Sequence, residues 1–186
     1  MSDLTSIEKE PTDDDKLVEA AKNNPAEFDK LYQRWISPIY RYVYAHIGNR
    51  SDAEDLTSQI MLAAFQGFPR YQHRGNFAGW LFTIARNQIW RWISRYHREE
   101  PLEYEFVPGL PTDLLSDVLK TEEIKKLREI VLGLPENEKE LIYLRYVAGL
   151  GFADMGVVLK RREGAVKMSL YRLQDRLQHL LEDYHD

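Results

Sequence analysis

Phe77-Ala78-Gly79-Trp80-Leu81-Phe82-Thr83-Ile84-Ala85-Arg86-Asn87 is the stretch whose reading decides the fold. Its apolar residues Phe77, Trp80, Leu81, Ile84 and Ala85, with Ile89 beyond, recur at steps of three and four. That is the period of one helix face, not the alternation of a strand. The spacing predicts a helix from Phe77 to about Tyr96. Trp90 and Trp92 follow at an offset that cannot place both rings on the same apolar side, so one of them is expected to face solvent or a ligand.

The helical period continues in both directions. Upstream, Pro69 to Asn76 reads as a polar, basic turn, preceded by a helix from Asp52 to about Phe68. Ser51 is the expected N-cap with Glu54 completing a capping box, and Asp52, Glu54 and Asp55 suit the positive end of the helix dipole. Phe28, Leu31, Tyr32, Trp35, Ile36, Ile39, Tyr40, Val43 and Ile47 make a longer stripe ending near Gly48, with a kink expected at Pro38. Asp13 to Lys22 reads as a short first helix, and Pro25 stands where a first helical turn tolerates proline. Downstream, Thr121 to Leu132 is a helix closed by Gly133. Pro135 opens another that carries Leu141, Ile142, Leu144 and Tyr146 until Gly149 and Gly151 stop it. Phe152 to Leu159, a turn at Lys160 to Arg162 and a helix from Glu163 to Leu181 have the layout of a helix-turn-helix, with Gly156 as the small residue where the two helices cross. The chain is expected to be all-α.

Charge is unevenly distributed. The whole chain carries −5 from 25 basic and 30 acidic residues. Yet no Asp or Glu occurs from Leu56 to Arg98, where six arginines stand at Arg70, Arg74, Arg86, Arg91, Arg95 and Arg98. A second basic block joins Lys160, Arg161, Arg162, Lys167, Arg172 and Arg176 against only Glu163 and Asp175. Between the two blocks, eight acids from Glu99 to Glu123 face one lysine, Lys120, among Pro101, Pro108, Gly109 and Pro111, which reads as an acidic linker. Local basic patches attract polyanions despite the net charge, because fields are screened beyond roughly 8–10 Å.

Several function classes drop out. No cysteine is present among the 186 residues, which excludes disulfides, thiolate metal sites and a cysteine nucleophile. His46, His73, His97, His179 and His185 lack ligand spacing, and neither a phosphate-binding glycine loop nor a nucleophile elbow occurs. No catalytic residue, metal site or cofactor is expected, and the chain is read as a non-enzyme. No apolar run approaches the roughly 20 residues of a membrane span, and Met1 to Asp15 does not resemble a secretory signal, so the expected location is cytoplasmic without membrane insertion.

The interleaved cations and aromatics of Arg70 to Trp80, with Trp90 and Trp92 beyond, suit opened DNA: arginine holds phosphate and an aromatic face stacks on an unpaired base at about 1–3 kcal/mol each. The plainer alternative makes Phe77, Trp80, Leu81 and Ile84 core and the arginines a solvated face. On the second basic block, Arg161, Arg162, Lys167, Ser169 and Arg172 are available for phosphates or base edges, against the alternative of a helix pair that packs another protein. Asp52 to Leu56 is fully accounted for as a helix start.

In this order, the pieces resemble a bacterial RNA polymerase sigma factor of the sigma-70 family, extracytoplasmic-function (ECF) type, from about Asp15 to Leu181. Asp52-Ala53-Glu54-Asp55-Leu56 is similar to the family's region 2 signature, and Phe77 to Asn87 to its phenylalanine-x-x-tryptophan-leucine-x-x-isoleucine-alanine-arginine-asparagine run. Leu134-Pro135, Leu144-Arg145 and Leu150 to Leu177 look like region 4. The resemblance implies core-polymerase contacts at Asp52, Glu54, Asp55, Leu56 and Gln59, on the clamp helices of the largest subunit, with the flap as a further contact. It implies minus-ten DNA contacts at Arg70, Arg74, Asn76, Trp80, Arg86, Asn87, Trp90 and Arg91. Minus-thirty-five contacts are implied at Arg161, Arg162, Glu163, Lys167, Ser169, Arg172 and Arg176. The implied organisation is an acidic disordered tail (1–14), a region 2-like bundle (15–99), a flexible acidic linker (100–120) and a region 4-like helix-turn-helix domain (121–186). Partners would be core polymerase, promoter DNA and an anti-sigma factor. Departures are Ser58-Gln59 where glutamine-glutamate is usual, Arg91 in place of an aspartate, Met168 and Ser169 where serine and a polar or basic residue are commoner, and Lys160-Arg161 in place of glycine and an apolar residue. A stand-alone helix-turn-helix regulator and an RNA-binding adaptor are the competing readings.

Overall fold

The computed structural model describes residues 13–72, 75–99 and 121–182. The expected linker, most of the acidic tail, and His73 and Arg74 of the basic turn lie outside the described residues. Among the described residues every regular element is helical. No helix among them is long and apolar enough to cross a membrane.

Helix α1 (Asp13–Asn23) opens on three aspartates that favour its N-terminal dipole and buries Val18 and Ala21. The helix begins at Asp13, as its sequence reading predicts, and Asp14 pairs with Arg34 at 2.7 Å. A single 3₁₀ turn at Pro25–Glu27, capped by the Asn24 side chain, leads into α2 (Phe28–Ile47). That helix runs continuously through Pro38 and ends at Gly48, whose φ of 72° needs a residue without Cβ. Tyr32, placed on the apolar stripe by its spacing, is exposed.

Helix α3 (Arg50–Gly67) starts earlier than expected, because Asn49 and not Ser51 is its cap: the Asn49 side chain accepts from the Asp52 N–H at 3.1 Å. The capping box is accordingly not formed, and Glu54 reaches Arg50 instead, at 2.8 Å. After a 3₁₀ turn at Phe68–Arg70, α4 (Phe77–Glu99) is the central helix of the first half. Its stripe of Phe77, Leu81, Phe82, Ala85 and Ile89 is buried, and Phe82 packs edge-on against Tyr42 at 5.2 Å and Trp35 at 5.9 Å.

The second half contains α5 (Thr121–Leu132), α6 (Glu136–Ile142), α7 (Phe152–Leu159) and α8 (Glu163–Glu182). Where the sequence predicted α6 to continue through Tyr146, a π-helical turn at Tyr143–Val147 intervenes, closed by the Ala148 N–H to the Tyr143 carbonyl at 2.9 Å. The wider turn buries Tyr143, Leu144 and Val147 while leaving Tyr146 half exposed. Gly156 is needed where α7 meets the turn into α8, since a Cβ there would stand 2.8 Å from the Arg161 carbonyl oxygen. Lys160 takes the left-handed conformation, φ 53°, in which glycine is the default residue. The two halves meet: α7 lies against α4 and the π turn against α2, so that one buried apolar cluster runs through both.

Candidate nucleic-acid interface

On α3, the capping geometry that starts the helix at Arg50 turns Ala53, Leu56, Thr57 and Ile60 inward. Glu54, Asp55 and Gln59 are left exposed and Asp52 partly so, giving an acidic face on the first three turns. Leu56 is 1% exposed, which corrects its expected place among partner contacts: its role is to seat the helix, not to touch another protein. Farther along, the same helix exposes Leu62 and Phe65 beside Tyr32, over a shallow apolar cleft whose walls include Phe28 and Met61. The sequence reading places Tyr32 on the apolar stripe and assigns Leu62 and Phe65 no role, so it does not anticipate this patch.

Helix α4 divides the expected minus-ten residues into three groups. Asn87 and Arg91 are exposed, and with Gln88, Trp90, Ser94 and Arg95 they form one shallow cationic face, the last four and Arg91 lining a common cleft. Trp92 packs against the apolar core, so Trp90 is the ring presented at that cleft. Trp80 sits in an aromatic cluster, 4.8 Å from Tyr71 and 5.5 Å from Phe77. Arg70 is exposed at the end of the 3₁₀ turn, and the Asn76 carbonyl, just before α4, accepts from the Trp80 N–H at 3.0 Å. Lys22 of α1 donates to the carbonyls of Phe68 and Pro69 at 2.9 and 3.2 Å and so holds this turn in place. Arg74 lies outside the described residues.

Arg86 turns the other way. Its Nε donates at 3.0 Å to the carboxylate of Glu140, an acid in the second half that is 3% exposed. The same carboxylate accepts from the Tyr42 hydroxyl at 2.7 Å and meets His46 Nε2 at 2.9 Å, while His46 Nδ1 faces the Tyr42 carbonyl at 2.9 Å. Burial pushes the Glu140 carboxyl up, but the hydrogen bonds and charge of His46, with Tyr42 and Arg86 added, outweigh it and hold the group below its ordinary value. Burial and the neighbouring Glu140 raise the Tyr42 phenol well above its usual range.

On the helix-turn-helix, α8 turns Val166, Leu170 and Leu173 into the core and leaves Arg162, Glu163, Lys167 and Arg172 exposed. Arg161 is held by the Ser169 hydroxyl at 2.7 Å, so these two act as a pair. Lys167 lies 5.7 Å from the Tyr171 ring centroid. Arg176 is exposed as well and pairs with Glu138 of α6. The surface defined by α4 and α8 can bind polyanions: exposed arginines and lysines with one accessible indole and one accessible phenol, on helices anchored by apolar faces.

Comparison with known proteins places this fold. The sigma-70 region 2 family matches residues 31–99, which include the α3 acidic face and all of α4. The ECF RNA polymerase sigma factor BldN of Streptomyces coelicolor is 34% identical over 176 residues, covering 90% of this chain and 66% of that protein. The ECF RNA polymerase sigma factor SigM of Bacillus subtilis is 25% identical over 153 residues, covering 82% of this chain and 93% of that one. The chain thus spans just under two thirds of the first relative and nearly all of the second. The sigma factor RpoE of Bartonella quintana, solved in complex with the anti-sigma factor NepR, shares the fold with a TM-score of 0.66 at 21% identity, over 84% of this chain and 97% of that one. A helical member of the sigma-70 family is thereby defined. Within that family, the chain belongs to the ECF RNA polymerase sigma factors.

Proposed function

We propose that this protein is a promoter-specificity subunit: it recruits core RNA polymerase, opens the minus-ten element and contacts the minus-thirty-five element, with no catalytic chemistry of its own. The observation that carries the reading is the presence on one chain of the cationic, indole-bearing face of α4 and the exposed cations of a helix-turn-helix on α8. Asp52, Glu54, Asp55 and Gln59 would dock on the polymerase clamp helices. Asn87, Trp90 and Arg91 would meet the opened minus-ten strand, joined by Arg70, Arg74, Asn76, Trp80 and Arg86. Arg162, Glu163, Lys167 and Arg172, with the Arg161–Ser169 pair and Arg176, would read the minus-thirty-five duplex. The working units are residues 15–99 and 121–186, with 100–120 as the tether and 1–14 as the tail. Each unit alone binds DNA weakly, and the tether converts the second contact into an intramolecular one. An anti-sigma factor is a further partner, a reading supported by the solved complex of RpoE with NepR, and the proposed location is cytoplasmic.

The test is size-exclusion co-elution of the purified chain with bacterial core polymerase, beside an Asp52→Ala, Glu54→Ala, Asp55→Ala triple variant, followed by transcription from a matched promoter. Co-elution that the triple variant loses, with promoter-specific initiation by the wild type, is the expected result. A folded wild type that binds duplex DNA but never core polymerase would overturn the reading in favour of a stand-alone regulator.

A further inference from the structure

Given the proposed contact of α8 with the minus-thirty-five duplex, on which this rests, we infer that Met168 is a base-reading residue and that it selects thymine, by packing its apolar side chain on the C5-methyl in the major groove. Every residue assigned to that contact is polar. The α8 residue that points most directly away from the core is not: at about 100° per residue, Met168 lies roughly 170° from the mean direction of the buried Val166, Leu170 and Leu173. It is 51% exposed. Its surroundings define what it meets. Lys167 and Arg172, both exposed, stand on opposite sides of Met168, about 100° and 40° round the helix, where they can reach the two phosphate backbones. Gly164 and Ala165, one turn before it, are small and exposed, and a Cβ on Gly164 would meet nothing within 4 Å, so no side chain there holds the helix off the base edges. Tyr171 is 48% exposed, with its ring edge-on to Phe152 at 6.2 Å and Lys167 5.7 Å from its centroid, and gives Met168 a fixed wall. Asp175, about 10 Å farther along the axis, repels phosphate and confines close approach to the first three turns of α8. A cationic rim around one apolar tip fits a polyanion that carries an apolar spot, not an apolar groove on a protein.

The base follows from chemistry. The major groove, about 12 Å wide, admits a helix with its outermost side chain toward the base edges. Those edges carry hydrogen-bond donors and acceptors and one apolar group, the thymine methyl. A thioether is at most a weak acceptor, so a methionine that covers any other edge displaces water and leaves a polar group unsatisfied. Over thymine the same side chain removes two apolar surfaces from water. One methyl-sized contact corresponds to about a fourfold preference. Lys167 and Arg172 add affinity without choosing a base, because phosphates are alike in every sequence.

The experiment selects from a pool of randomised duplex DNA fragments with the full chain bound to core polymerase and, in a second arm, with the full chain alone. Fragments bound by the wild type should show a thymine preference at one position that Met168→Ser abolishes and Met168→Leu keeps, since a serine hydroxyl bonds donors and acceptors alike. Deoxyuridine, which lacks only the methyl, should lower wild-type affinity about fourfold at that position and leave Met168→Ser unaffected. Lys167→Ala should weaken all fragments alike and lower the slope of log affinity against log salt by about one. Circular dichroism checks that the variants are folded. An identical base preference in Met168→Ser, or a deoxyuridine loss that persists in that variant, would overturn the assignment and leave Met168 to a protein-facing surface. A chain that enriches no sequence in either arm would overturn it too. The two readings fail separately. Selection by the chain alone without binding to core polymerase counts against the promoter-subunit reading and still scores Met168, whereas binding to core with no thymine preference counts against Met168 and leaves recruitment of polymerase standing.

Discussion

Gly156→Ala is a stringent test of how the helix-turn-helix is built. The added Cβ would sit 2.8 Å from the Arg161 carbonyl oxygen and 3.5 Å from the Glu163 nitrogen. These are backbone atoms that cannot swing aside as a flexible side chain can. The turn is also tied back to the same residue, with the Arg161 N–H bonded to the Gly156 carbonyl at 2.9 Å. Relieving the overlap therefore means moving α8 away from α7 or losing that bond, a cost of about 3 kcal/mol at the upper end of overpacking. Alanine recovers up to about 1 kcal/mol of helix propensity. The net expectation is a loss of about 2 kcal/mol, or a fall of roughly 4–8 °C in the midpoint for a chain of this size. Gly164→Ala is the control: it lies on α8 with nothing within 4 Å of the built Cβ, so it should hold or raise stability by up to about 1 kcal/mol. Urea unfolding followed by circular dichroism reads both halves. Tryptophan fluorescence reads only the first, because Trp35, Trp80, Trp90 and Trp92 all stand there. The dichroism transition should move more than the fluorescence transition. A Gly156→Ala chain as stable as the wild type would refute the close crossing of α7 on the turn.

Asn49→Ala should cost about 0.5–2 kcal/mol in thermal unfolding while Ser51→Ala stays near neutral; the reverse order would mean that Ser51 is the cap after all. Acid should lower the stability of the chain through Glu140. Glu140 has a lower proton affinity in the folded chain than its ordinary value of 4.5, so its contribution to stability is present above that value and is lost as pH falls through the lowered folded value. Urea midpoints of wild type and Glu140→Gln, compared from pH 7 downward, should differ above pH 4.5 and converge as pH falls through the lowered folded value, and a gap independent of pH would contradict this. Arg172→Ala should weaken minus-thirty-five DNA binding and lower the slope of log affinity against log salt by about one; an unchanged slope would remove Arg172 from the phosphate contacts.

Much of the fold was legible because helices are local. The Phe77 to Ile89 stripe, the stop at Gly48, the glycine at the α7 crossing and the short, turn, long pattern of the helix-turn-helix all depend on residues within four or five positions of one another. Local competition accounts for the misses: Asn49 lies two residues before Ser51 and reaches the Asp52 N–H first. The π turn redirected Tyr146 with no signal in apolar spacing, since one extra residue in a turn leaves the composition unchanged.

By itself the sequence determined that this is an all-helical chain with two separated cationic blocks, and which residue types each block offers. The direction in which those residues face was decided only by tertiary packing. Arg86 and Asn87 are neighbours in one motif, yet Asn87 faces solvent while Arg86 is held by an acid 54 residues away. Glu140 stands near two unremarkable acids, Glu136 and Glu138, and His46 is one of five scattered histidines. Nothing local distinguishes them, because the free energy that selects them comes from burying a charge beside its partners, and those partners are brought together only when the two halves close.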